Sequence, residues 1–80
     1  MAPTDFRPSS RSESDPGLLT DREVQVLALV AQGLTDKGIA HELGISRFTV
    51  AFHLRNIRRK LDAASRVEAV TRARQAGYDV

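Results

Sequence analysis

The sequence predicts an all-α fold, a domain of four helices over residues 18–80. Three observations predict it. Apolar residues recur at helical spacing in four segments, a Thr or Ser suited to capping precedes each segment, and no segment alternates as a strand does. We therefore expect helices at about 21–32, 36–43, 47–61 and 66–76.

The first two helices are marked by the residues at their ends. Thr20 and Glu23 have the spacing of a capping box for the first helix, which should stop at Gly33. The second helix should follow Thr35 and end at Gly44, since glycine suits a left-handed residue after a helix. The predicted buried residues are Val26, Leu27, Val30 and Leu34 on the first helix, and Ile39, Ala40 and Leu43 on the second.

The last two helices carry similar signals. Ser46 should cap the third helix, and Ser65 with Glu68 should form a capping box for the fourth, which Gly77 ends. The predicted buried residues are Val50, Leu54, Ile57 and Leu61 on the third helix, and Val67, Val70 and Ala73 on the fourth.

Residues 1–17 differ in composition from the rest of the chain. They hold all three prolines and four serines, with few large apolar side chains. Such a segment cannot bury enough surface to offset the entropy of ordering it. We expect a disordered tail or interdomain linker here, in front of a folded domain at 18–80.

Composition excludes several classes of function. There is no cysteine, and His41 and His53 are the only histidines, which argues against thiol chemistry, disulfides and a metal centre. No phosphate-binding loop or nucleophile motif occurs, so we expect neither cofactor nor catalysis. The longest apolar run, at 26–31, is too short to span a membrane, and the N-terminus lacks the apolar core of a secretory signal. A cytoplasmic protein without a membrane partner is expected.

The junction between the second and third helices predicts a helix-turn-helix. Only Gly44 and Ile45 separate the two helices, and so short a connection makes them cross steeply. Ala40 is small enough for a close crossing, and Val50 can pack the third helix back onto the second. Ala40, Gly44 and Val50 thus have the A-x3-G-x5-V spacing of this motif.

The third helix is strongly basic. Residues 46–60 contain five cationic and no acidic side chains, which favours a polyanionic partner, here double-stranded DNA. A helical wheel places four candidate base-reading residues beside the buried face, and Phe52 among them could lie against a thymine methyl group. These residues are Arg47, Ala51, Phe52 and Arg55. Farther along the helix, Arg58, Arg59 and Lys60 are suited to phosphates.

Simpler interpretations remain open for the same residues. The cationic run could be only a solvated helix face, and Phe48 and Phe52 could be core residues if the wheel is rotated. We interpret His53, at the edge of the buried face, as a structural histidine, and the carboxylates as caps and surface charge.

Residues Leu19 to Val70 resemble the LuxR/GerE-type helix-turn-helix family of bacterial transcription regulators. The shared features are LTDRE at 19–23, QGL at 32–34, IA at 39–40, LGIS at 43–46, TV at 49–50, His53, Ile57, KL at 60–61 and SR at 65–66. The resemblance implies that residues 18–80 are a four-helix domain that binds DNA with its third helix and often dimerises through its fourth. Since many members of the family carry a further N-terminal domain, the resemblance also implies either a stand-alone effector or the excised C-terminal part of a longer regulator.

The resemblance also implies particular contacts at matching positions. Thr35, Lys37, Ser46, Thr49 and Lys60 match positions that contact the phosphate backbone, whereas Phe52 and Arg55 match base-facing positions. For the fourth helix, we expect a small dimer surface and a protein that is monomeric or weakly associating when free and dimeric on DNA. This surface comprises Arg66, Ala69, Arg72 and Ala76. RNA polymerase is a further candidate partner, and the protein is expected at the nucleoid.

Two positions depart from the family pattern. Position 51 is usually Lys or Arg but here is Ala51, and position 38 is usually Glu but here is Gly38, which weakens a helix by about 1 kcal/mol relative to Ala. These departures leave a second hypothesis, a protein-interaction module that keeps the fold without binding DNA. A third is a fragment resembling sigma-factor region 4, against which the LTDRE opening and the fourth helix argue.

Overall fold

The computed structural model describes residues 18–80, so the predicted tail at 1–17 lies outside the described residues. Four helices follow one another in this part of the chain, which contains no strand: α1 (Asp21–Ala31), α2 (Asp36–Leu43), α3 (Arg47–Leu61) and α4 (Arg66–Gln75). The predicted all-α, four-helix fold is confirmed, and each helix end lies within one residue of its predicted position.

The residues predicted as N-caps occupy the N-cap positions of the first three helices. The Thr20 hydroxyl accepts a hydrogen bond from the Glu23 N–H, and the Glu23 carboxylate accepts one from the Thr20 N–H, which completes the capping box. Thr35 and Ser46 each accept from the N–H three residues later. These bonds satisfy amides that have no partner inside the helix.

At α4 the cap differs from the predicted capping box. The Ser65 hydroxyl accepts from the Glu68 N–H at 3.1 Å, as expected. The Glu68 carboxylate, however, accepts from the Ala64 N–H at 2.9 Å, one residue earlier than a capping box requires. Glu68 thus fixes the loop before α4 as well as its first turn.

The turn of the helix-turn-helix is set by one glycine. Gly44 has a φ of 68°, the left-handed conformation predicted for it, and the Ile45 N–H then donates to the Ala40 carbonyl at 3.0 Å. This tight closure lets α3 start two residues later and cross α2.

One core comes from all four helices. Its buried members are Leu19, Val26, Leu27, Ile39, Ala40, Val50, Leu54, Ile57, Ala69, Val70 and Ala73. Val30, Leu34, Leu43 and Leu61, predicted as core, are partly buried at its edge.

The predicted buried face of α4 is partly wrong. Val67 is 72% exposed, whereas Ala69 is completely buried. Ala69, Val70 and Ala73 form the inner face, and small residues there allow α4 to approach its neighbours closely. Val67 lies in the first turn of α4, on the side facing away from the core.

Candidate nucleic-acid interface

The two faces of α3 are separated as the helical wheel predicted. Val50, Leu54 and Ile57 are buried, and the opposite surface carries exposed side chains. These exposed residues are Arg47, Phe48, Ala51, Phe52, Arg55 and Arg59. Phe48 is 83% and Phe52 51% exposed, which excludes the interpretation of either phenylalanine as a core residue.

Aromatic and cationic side chains meet on this exposed surface. The Arg55 guanidinium lies 5.9 Å from the centre of the Phe52 ring, within reach of a cation–π contact. The Phe52 and His53 rings meet edge to face at 5.8 Å. An open hollow of about 330 Å³ lies among Phe48, Ala51, Phe52, Arg55 and Arg58.

Lys60, predicted as a phosphate contact, lies buried in an ion pair. Its ammonium forms an ion pair with the Glu23 carboxylate at 2.8 Å, and the two side chains are only 7% and 5% exposed. A lysine held this way joins the end of α3 to the start of α1. This ion pair neutralises the charge of Lys60 inside the domain, which argues against the predicted phosphate contact.

The two arginines before Lys60 differ from each other in exposure. Arg59 is exposed, as a phosphate contact requires, whereas Arg58 is half-buried. Arg58 Nη1 lies 3.5 Å from the Ala64 carbonyl oxygen, and its buried Nε has no hydrogen-bond partner. Part of this guanidinium thus faces the loop before α4.

The predicted phosphate contacts at the front of α3 form a small hydroxyl cluster. The Ser46 and Thr49 hydroxyl oxygens are 3.0 Å apart, and Ser46 also accepts from the Thr49 N–H. Because one of the two hydroxyls donates to the other, only one O–H stays free for an external acceptor. Thr35 and the exposed Lys37 lie at the N-terminus of α2.

The start of α2 lies beside the middle of α3. A hollow of about 160 Å³ is lined by Asp36, Ala51, Leu54, Arg58 and Arg66. The Arg66 guanidinium bonds to the Asp36 carboxylate at 2.6 Å and so ties α4 to α2. This ion pair neutralises the Asp36 carboxylate, which lines the same hollow as Ala51 and Arg58.

Two ionisable groups have shifted pKa values. Burial lowers the pKa of His53 below 6.5, an effect that nearby Glu23 opposes and Arg22 reinforces. The Ala64 N–H, followed by Arg72, lowers the pKa of Glu68 by stabilising its charged form.

The residues predicted as a dimer surface do not all lie at the surface. Ala69 is completely buried and cannot touch a partner, so that assignment is corrected. Arg66, Arg72 and Ala76 are exposed, although Arg66 pairs with Asp36 and Arg72 with Glu68 four residues earlier.

The sequence reasoning missed the buried ion pair of Glu23 and Lys60. Their separation of 37 residues follows no local rule. The helical wheel gives a partial indication of this burial, since it places Lys60 next to His53 at the edge of the buried face. A lysine at such an edge can bury its stem and reach a partner on the neighbouring helix.

Within residues 18–80, no helix is long and apolar enough to cross a membrane. No group of three or more His, Cys, Asp or Glu side chains in this range is placed to hold a metal ion.

The tight Gly44 turn, the crossing of α2 and α3 and the exposed basic surface of α3 define a helix-turn-helix domain. The family described as "Bacterial regulatory proteins, luxR family" matches residues 17–73. The chain belongs to this family, which confirms the resemblance inferred from the sequence.

Named relatives agree with this assignment. The transcriptional regulatory protein DesR of Bacillus subtilis is 46% identical over 67 residues, which are 84% of this chain and 33% of that protein. The nitrate/nitrite response regulator protein NarP of Escherichia coli is 52% identical over 59 residues, which are 72% of this chain and 27% of that protein. The chain thus spans about a third or less of the length of these relatives.

A solved structure is also similar. The response regulator ChrA of a heme-sensing two-component system superimposes with a TM-score of 0.77 at 35% identity. The match covers 90% of this chain and 36% of that one.

Proposed function

We propose that this chain is the sequence-specific DNA-binding domain of a bacterial transcription regulator and that α3 enters the major groove. The observation that carries the proposal is the exposed surface of α3. Three arginines, Arg47, Arg55 and Arg59, are exposed on a helix that has no carboxylate of its own. An α-helix fits the major groove, and arginine can bond both O6 and N7 of guanine.

The exposed side chains then divide into two groups. Arg47, Ala51, Phe52 and Arg55 face the base edges, with Arg47 on the first turn and Arg55 two turns later. The phosphate contacts come from the N-terminus of α2 and from both ends of α3, and these fix the register without reading sequence. They are Thr35, Lys37, Ser46, Thr49, Arg58 and Arg59.

The regulator would act as a dimer on DNA, through α4. Arg66, Arg72 and Ala76 offer a small, largely charged surface. Such a surface falls short of the roughly 1,200 Å² of total buried area in stable interfaces. Two half-sites related by two-fold symmetry would supply the missing affinity by holding two copies close together. Sedimentation of the free protein at micromolar concentration should therefore show a monomer.

The remaining expectations extend this proposal. The chain would act without a cofactor or catalytic step, in the cytoplasm at the nucleoid, with RNA polymerase as a further partner. A tight dimer in the absence of DNA would contradict the part of the proposal that concerns α4.

A second candidate function is a protein-interaction module. Phe48 and Phe52 favour it, because exposed aromatic side chains are common at protein interfaces. The exposed arginines beside them favour DNA, since an apolar protein surface would leave the arginine charges without anionic partners.

The two candidates differ in their dependence on salt. Binding to a fluorescent random duplex, followed by anisotropy from 50 to 200 mM NaCl, should weaken steeply, because each phosphate contact releases a counterion. Arg59→Ala should make the slope shallower, and the control Arg74→Ala, at the far end of α4, should not. A flat salt dependence, or the absence of binding, would refute the DNA-binding proposal and favour the interaction module.

A further inference from the structure

The hollow on α3 combines apolar and cationic walls. Phe48 and Phe52 stand four residues apart on one side of the helix, and Ala51 lines the hollow beside them. Arg55 and Arg58 complete the wall. A long side chain at position 51 would fill this space, so the hollow exists because residue 51 is alanine.

The apolar part of this hollow limits what it can bind on DNA. Phenylalanine has no hydrogen-bonding group, so it cannot bond to the phosphates or to the polar edges of the bases. The major groove exposes one apolar group, the C5-methyl of thymine, and a methylated cytosine carries the same group.

We propose that the hollow of Phe48, Ala51 and Phe52 receives the C5-methyl group of a pyrimidine, and that Arg55 reads the guanine beside it. This inference rests on the proposed DNA-binding function and adds the chemistry that the site selects.

The position of Arg55 supports the second half of the proposal. Its guanidinium lies against the Phe52 ring, 5.9 Å from the ring centre, although the side chain is otherwise exposed. This contact restricts the rotamers of a long side chain before DNA arrives, which lowers the entropy cost of binding. Since Phe52 and Arg55 leave the helix three residues apart, their targets are neighbouring base pairs.

The first experiment removes only the methyl group. A duplex is selected from a random pool by the full chain, and each of its thymines is replaced in turn by deoxyuridine. At one or two positions next to a guanine, we expect about fourfold weaker binding by anisotropy, the factor that corresponds to the roughly 0.8 kcal/mol of a buried methylene. Deoxyuridine elsewhere should leave binding unchanged.

Variants then assign this effect to the hollow. Phe48→Ala and Phe52→Ala should bind thymine and deoxyuridine duplexes equally. Ala51→Lys should also lose the methyl dependence, because its side chain fills the hollow. Leu18→Ala, which truncates another exposed apolar side chain, should keep the fourfold difference. Circular dichroism melting checks that each variant is folded.

A parallel series distinguishes the two sources of the methyl group. Replacing a cytosine by 5-methylcytosine beside a guanine should strengthen binding if the hollow accepts methylated cytosine. If 5-methylcytosine does not strengthen binding but deoxyuridine weakens it, the hollow accepts thymine and not methylated cytosine.

The outcomes separate this inference from the proposed function. Specific binding with no deoxyuridine effect at any position, or an effect that persists in Phe52→Ala, would overturn the inference alone. A pool from which no sequence is enriched would overturn the proposed function as well.

Discussion

The two ends of α3 use the same kind of residue for opposite purposes. In its N-terminal and middle turns, Arg47 and Arg55 are exposed, and the Arg55 guanidinium lies 5.9 Å from the centre of the Phe52 ring. At its C-terminus, Lys60 is buried against Glu23. One helix thus presents its front to a partner and anchors its back in the domain.

This difference shows that a basic stretch cannot be read as a sum of charges. Five cations lie between residues 46 and 60, but the one at Lys60 is neutralised by Glu23 and that at Arg58 is half-buried. A buried charge stabilises or orients the helix, whereas an exposed charge can release counterions on DNA.

The largest expected effect tests the buried end. Lys60→Met should destabilise the domain by about 3–5 kcal/mol, because it leaves the Glu23 carboxylate buried without its cation. Urea unfolding followed by circular dichroism measures the change. Adding Glu23→Gln should cost much less than the sum of the two single changes, since the unpaired charge is then removed.

A matched lysine provides the control for this prediction. Lys37→Met alters an exposed lysine and should change stability by no more than about 0.5 kcal/mol. It should instead make the salt dependence of DNA binding shallower, which folded Lys60→Met should not do. A stable Lys60→Met variant with a shallower salt slope would show that Lys60 contacts phosphate after all.

The next effect tests the exposed end. Arg55→Ala should weaken binding to a selected duplex by about 1–3 kcal/mol, because a bidentate guanine contact is lost, and should affect random DNA less. The free energy of unfolding should hardly change, since Arg55 is exposed. Equal losses on selected and random duplexes would make Arg55 a phosphate contact rather than a base reader.

A smaller effect is expected in α2, the helix that positions α3. Gly38→Ala should stabilise the domain by up to about 1 kcal/mol, because its Cβ would meet Thr35 Oγ1 and Leu34 Cβ at ordinary contact distances of 3.5 and 3.6 Å. Gly44→Ala should act in the opposite direction, by about 1–2 kcal/mol, since φ there is 68°. Thermal unfolding measures both variants. A loss of stability in Gly38→Ala would mean that α2 needs the glycine.

Local signals explain why most of the fold could be predicted. Thr20, Thr35, Ser46 and Ser65 mark the helix starts because capping depends on residues within three positions, and the left-handed Gly44 marks a turn for the same reason. The buried face of α4 was not predictable in this way. With small residues at 69, 73 and 76, its sequence has no broad apolar stripe, so close packing buries Ala69 and leaves Val67 outside.

The candidate site was predictable in part. The wheel identified the exposed face of α3, since the apolar Val50, Leu54 and Ile57 fix its rotation. The partners of individual charges were not predictable, because Glu23 with Lys60 and Asp36 with Arg66 join residues far apart in sequence. Those pairs depend on how helices pack, which no spacing along the chain encodes.

The smallest expected effect concerns pH, at the boundary between the two ends of α3. His53 contacts Phe52 on one side and faces Glu23 and Arg22 on the other, and burial lowers its pKa below 6.5. His53 therefore binds a proton more readily in the unfolded chain than in the folded domain. The stability that depends on neutral His53 is fully present above about pH 6.5, and it is lost as the pH falls through the lower pKa of the folded state. Glu68 adds a loss in the same direction below its ordinary value of 4.5, because its pKa is also lowered. Melting temperatures at pH 7.5, 5.5 and 4 should decrease in that order. His53→Gln should reduce the decrease in melting temperature between pH 7.5 and 5.5, and Glu68→Gln should reduce the decrease between pH 5.5 and 4. If His53→Gln left the decrease between pH 7.5 and 5.5 unchanged, protonation of His53 would not oppose folding.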